Sequence, residues 1–77
     1  MGERQQITYM QTRITRLACK RWNMPMRDVV GIFMKYDVLG YIERNYGLFH
    51  MEGDDAVFED VVLYLSHKGV HVHDRTA

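Results

Sequence analysis

Between residues 3 and 22 the apolar side chains Ile7, Met10, Ile14, Leu17 and Ala18 return at steps of three and four, with Trp22 at the edge of the same stripe. This is the period of an α-helix with one buried side. In a chain of 77 residues it commits about a quarter of the sequence to one element that other helices must cover. Three further segments obey the same rule. Asn23-Met24-Pro25 interrupts the first pattern, and Pro25 suits the first position of a second helix over about 25–35. Asp28 in its first turn complements the helix dipole, and Val29, Ile32, Phe33 and Tyr36 face inward. A third helix is predicted over about 38–46, with Asp37 as its cap, Val38, Tyr41, Ile42 and Tyr46 on its apolar side and Gly47 as its stop.

The stretch from Leu48 to Gly53 reads as a connection. A fourth helix starts at Asp54 or Asp55, buries Val57, Phe58, Val61, Val62 and Leu65, and ends at Gly69, with Val70 closing the last turn hydrophobically. The valines would suit strands as well, but Val57, Val61 and Leu65 keep the helical period. Only Val70 to His73 alternates, and four residues without a partner strand do not hold. The expectation is an all-α fold: one small single-domain bundle of about four helices, a long first helix with three shorter ones packed across it. The domain is expected to occupy residues 1–77, with a core over about 5–69 and a flexible tail over 70–77. So short a chain buries only about 60% of its unfolded surface, and its margin of stability is thin.

With 47% hydrophobic and 26% charged residues, disorder and low complexity are excluded. No apolar run reaches the roughly 18 residues of a membrane span, and no leader pattern opens the chain, so no membrane partner is expected. The lone Cys19 excludes an internal disulfide framework and a Cys-based zinc site, which makes a reducing cytoplasm the expected compartment.

The formal net charge of zero hides an asymmetry. Residues 1–27 carry six basic groups and one acid, and residues 28–77 carry four basic groups and nine acids. Either the two halves face each other, or the basic part faces an anionic partner. Tyr9, Arg13, Arg16 and Lys20 share one face of the first helix, where they could follow a phosphate backbone with Tyr9 stacked on a base. A solvated face, or one turned toward acids of the fourth helix, explains the same stripe. Overall neutrality argues against a dedicated nucleic-acid binder. The second and third helices also mimic a helix-turn-helix, but Glu43, Arg44 and Asn45 equip the would-be recognition helix poorly for phosphates and base edges.

The histidines His67, His71 and His73 form no closed ligand set, since Gly69 interrupts the helix that would align them, and no metal or cofactor is expected. His50 lies between Phe49 and Met51. Its structural reading, a half-buried imidazole bonded to a backbone carbonyl or a carboxylate, outweighs an acid–base role. Cys19 sits mid-helix, away from the N-terminal setting that activates a thiol, and reads as a small apolar residue. Neither a nucleophile elbow nor a glycine-rich phosphate loop is present, and no enzyme activity is expected.

An amphipathic first helix, a Pro turn and then VVGIFMKYDVLGYIERNYGLFHMEGDDAVFEDVVLYLSHKG resemble the bacterial family known as domain of unknown function 3791. The resemblance rests on the Phe33–Tyr36 region, Val38, Tyr41-Ile42, Tyr46, His50, Gly53-Asp54, Val57, Asp60, Leu65 and Gly69, and spans about residues 7–69. Met24-Pro25 stands where many members use a Ser-type cap, and the His-rich tail lies outside the pattern. The resemblance implies a short bacterial cytoplasmic protein, encoded beside a family that looks like an ADP-ribosyltransferase toxin, and hence an accessory or antitoxin-like role. It assigns no catalytic residues.

These readings converge on a non-enzymatic protein-interaction module whose partner is another chain or a second copy of itself. Five Tyr, three Phe, one Trp and six Met exceed what so small a core hides easily, and such residues are enriched at interface hot spots. Trp22, Tyr41, Tyr46, Phe49 and Met51 are the expected contact residues, with His50 and Asp60 in structural or functional support. The alternative is a nucleic-acid-binding regulator using Tyr9, Arg13, Arg16 and Lys20, and a small enzyme built on His50 ranks third.

Overall fold

The chain is described by a computed structural model from residue 2 to residue 75. Five helices occupy these residues: α1 Glu3–Trp22, α2 Met26–Lys35, α3 Val38–Arg44, α4 Tyr46–Phe49 and α5 Asp54–His67. The architecture is the all-helical one read from the sequence, with the long first helix lying against α2, α3 and α5. The inward stripes meet in one core. Met10, Ile14, Ala18 and Trp22 come from α1, Val29 and Phe33 from α2, Val38 and Ile42 from α3. Phe49 of α4 and Val57, Phe58, Val61 and Leu65 of α5 complete it.

The helix ends follow from residues that tolerate a left-handed backbone. Asn23 adopts φ 50°, so the Met24 N–H reaches the Cys19 carbonyl at 3.0 Å and the Asn23 N–H the Lys20 carbonyl at 3.3 Å. Gly69, at φ 79°, repeats the motif: Val70 N–H bonds to Leu65 and Gly69 N–H to Ser66, at 2.9 and 3.0 Å. Both are Schellman closures, which satisfy carbonyls that the helix leaves unpaired.

Two boundaries depart from the sequence reading. Pro25 precedes α2 and does not open it; its carbonyl accepts the Asp28 and Val29 N–H groups at 3.0 and 3.2 Å. The third helix stops at Arg44, two residues short of the expectation, where Asn45 takes φ −108° and bonds the Tyr41 carbonyl with both its side-chain amide, at 2.9 Å, and its backbone N–H, at 3.2 Å. Asn, whose side chain bonds nearby backbone groups, favours such helix ends over helix interiors. The chain resumes as α4, so Gly47 lies inside a helical turn and the expected connection is partly a helix that buries Phe49.

The segment after Gly69 lies along the bundle. Val70 and Val72 pack on the core, and the Arg75 N–H bonds to the Arg21 carbonyl at 2.6 Å. Residues 76 and 77, the end of the tail expected to be flexible, fall outside the described residues.

Candidate interaction surface

The aromatic residues expected to form a contact surface are largely spent inside the fold. Trp22 and Phe49 are each 3% exposed, which removes them from any contact surface. The Trp22 ring centroid lies 6.2 Å from Phe33, edge-on, and 5.5 Å from Phe58. Its Nε1–H has no hydrogen-bond partner among the described residues. Tyr41 stacks on Tyr64 at 4.1 Å, takes the Phe49 edge at 5.6 Å and donates to the Asp60 carbonyl at 3.5 Å. Burial holds its phenol above the usual tyrosine value, and the negative charge of Asp60 adds to the effect. Tyr46 donates to Gln6 Oε1 at 2.9 Å and stacks on His50 at 5.3 Å.

His50 Nδ1 lies 3.0 Å from the Tyr46 carbonyl, which can only accept, so the ring carries its proton there. That is the backbone bond read from the sequence, although the ring is exposed and not half-buried. Met51 alone among the five expected contact residues is freely exposed, at 72%. Asp60 is half-buried and contributes its backbone carbonyl to Tyr41.

The basic face of α1 divides. Arg13 Nε donates to Asp54 at 3.0 Å, so this position turns toward the acids of the last helix. Arg16 and Lys20 form no ion pair among the described residues, and Tyr9 is half exposed. Arg21, off that face, carries the main electrostatic junction. It reaches Asp55 at 3.7 Å, Glu59 at 3.0 Å and Asp74, and its guanidinium lies 4.8 Å from the Phe58 ring centre. The hydrogen bond to Asp74, assisted by Glu59, raises its pKa further above an already high value.

No three His, Cys, Asp or Glu side chains converge on a metal-sized site among the described residues. Cys19 is half-buried, with Sγ 3.9 Å from Met26 Sδ.

The surface that sequence reasoning missed lies on α2. Val29 and Phe33 bury one side of this helix, yet Met26, Val30 and Met34 repeat every fourth residue on its outer side at 45%, 36% and 71% exposure. Leu39, at the start of α3, extends the stripe at 37%. The signal was legible: between Met26 and Lys35 only Arg27, Asp28 and Lys35 are charged, too few to wet the outer side of a helix. Beside the stripe a groove of about 340 Å³ runs between α1 and α3, walled by Met26 and Leu39, floored by Thr8, Thr12 and Thr15, and bordered by Gln11 and Arg16.

No curated protein and no solved structure matches the chain. A family model does match, over residues 9–68, from the second turn of α1 through the end of α5. The chain therefore belongs to the family described as "Protein of unknown function (DUF3791)".

Proposed function

We propose that this chain is a non-enzymatic protein-interaction module, an antitoxin-like accessory that binds a toxin or effector protein in a bacterial cytoplasm. The observation that supports the reading is the exposed apolar stripe Met26, Val30, Met34 and Leu39 beside an open groove, on a bundle whose core is already filled. Contiguous apolar surface rimmed by charge is typical of surface that a partner covers. The toxin partner comes from the family resemblance, which implies a neighbouring ADP-ribosyltransferase-like protein. His50, tied to its own backbone, serves the turn after α4 and not catalysis. A tagged chain expressed in its native host, captured after nuclease treatment, should retain a defined protein at near-equal stoichiometry. Retention of nucleic acid alone would contradict the reading.

A second reading, a nucleic-acid regulator, draws on the exposed Tyr9 and on Arg16 and Lys20, which have no acidic partner among the described residues. Arg13, already held by Asp54, weakens it. Binding of that kind would fall steeply between about 50 and 200 mM salt.

A further inference from the structure

We propose that the groove between α1 and α3, together with the outer stripe of α2, docks an acidic amphipathic helix of a second protein. This inference rests on the interaction reading above and adds the face and the chemistry of its occupant.

The groove is apolar in effect although threonines floor it. Thr8, Thr12 and Thr15 donate their hydroxyls to the carbonyls of Arg4, Thr8 and Gln11 at 3.0, 2.9 and 2.7 Å. Their protons are spent on α1 itself, and an occupant meets mainly methyl surface. The Gln11 amide donates to the Leu39 carbonyl at 2.9 Å, which pins α3 to α1 and closes the groove wall. Met26, Val30 and Met34 continue this surface for about 12 Å along α2, two turns of helix, at the spacing of a helix-in-groove contact. Methionines adapt their shape to an incoming side chain at little cost.

Charge selects the occupant. Arg16 borders the groove without an ion pair among the described residues. Arg27, beside the stripe, has a side chain 90% exposed and only the long 3.9 Å contact to its neighbour Asp28. The acid on the α3 side of the face, Glu43, is held by both terminal nitrogens of Arg4 at 3.1 and 3.2 Å. A positive rim whose nearby acid is already paired fits a helix with acidic flanks. A second copy of this chain fits poorly. Its acidic helix α5 exposes Leu63, but Asp54, Asp55 and Glu59 already answer Arg13 and Arg21. Contact between two different faces of identical chains would also build a ring or a filament and not a closed pair.

The test uses two labelled peptides of about 18 residues, each helical with leucines along one side, one flanked by glutamates and the other by lysines. In fluorescence anisotropy with the whole protein, the glutamate peptide should bind about tenfold or more tightly than the lysine peptide. The double variant Val30→Asp, Met34→Asp should weaken binding about thirtyfold, whereas Leu63→Asp should leave it unchanged. Arg16→Glu with Arg27→Glu should reverse the peptide preference. These side chains are exposed, so thermal melts should confirm that each variant folds. Equal binding of both peptides, loss of binding in Leu63→Asp, or self-association that requires Met34 would overturn the proposal. If a native partner is captured equally by wild type and by the Val30, Met34 variant, the interaction reading stands and the groove assignment fails. If neither captures a protein, the interaction reading itself fails.

Discussion

Gly40 sits in the first turn of α3 where a Cβ would land on the carboxylate of Asp37, which itself adopts φ 54° and pairs with Arg44 at 3.0 Å. A helical Gly→Ala change ordinarily stabilises by about 0.5–1 kcal/mol. Here Gly40→Ala should give no gain, because the carboxylate must swing away from Arg44. In an Asp37→Gly background, which suits the left-handed backbone and removes the obstruction, the same change should recover about 0.5–1 kcal/mol. Urea unfolding of the four proteins measures the cycle, and a gain for Gly40→Ala alone would contradict it. Asp37 also shows where reading residues singly stops. It occupies the cap position assigned from sequence, yet its side chain makes no capping bond and turns to Arg44. Trp22 teaches the same lesson. Its aromatic content suggested a contact surface, but its place at the edge of the α1 stripe already aimed it at Phe33 and Phe58.

Tyr41 offers a pH prediction. Its phenol is raised above the usual value of 10.0, chiefly by burial, so the unfolded chain ionises first as pH climbs. The stability tied to this group is complete below the unfolded value and is lost as pH rises through the folded one. Denaturant midpoints should therefore decline above about pH 10, less steeply in Tyr41→Phe. Equal slopes for the two proteins would show that burial of this phenol does not matter.

At the scale of elements, periodicity carried α1, α2 and α5 well, because each has a continuous apolar stripe and a chemically marked end. The α3–α4 break was not legible. Nothing in the spacing of Val38, Tyr41, Ile42 and Tyr46 distinguishes one helix from two; the break falls at Asn45, whose side-chain amide and backbone N–H both reach the Tyr41 carbonyl. Tertiary contact decided the segment after α5 as well. Val70 and Val72 find apolar surface, while Asp74 and the Arg75 N–H meet the side chain and the carbonyl of Arg21. Arg21 thus ties α1, α5 and this segment together. Arg21→Ala should cost about 1–2 kcal/mol, through lost packing on Phe58 as much as lost charge. Amide exchange of Val72 to Arg75 should accelerate more than that of α3. Uniform acceleration across the chain would mean that Arg21 merely supports global stability.

For the whole molecule, the informative surface is the one the core does not use. The candidate site was only partly legible: the count of Met and aromatic residues signalled surplus apolar surface but not its place. Burial withdraws Trp22 and Phe49, Tyr41 and Tyr46 are tied into internal contacts, and Met26, Val30, Met34 and Leu39 stay exposed, as do Leu48, Met51 and Leu63 elsewhere. Among the described residues no helix is long and apolar enough to cross a membrane. The decisive measurement is affinity capture from the native host with three baits: wild type, the Val30→Asp, Met34→Asp variant, and a Tyr9, Arg13, Lys20 triple Ala variant that spares the groove-lining Arg16. The expected result is one protein partner retained by wild type, nearly retained by the triple Ala variant because those side chains lie outside the groove, and lost from the α2 variant. Capture that survives in the α2 variant but vanishes with the basic residues, together with bound nucleic acid, would contradict the protein-interaction reading.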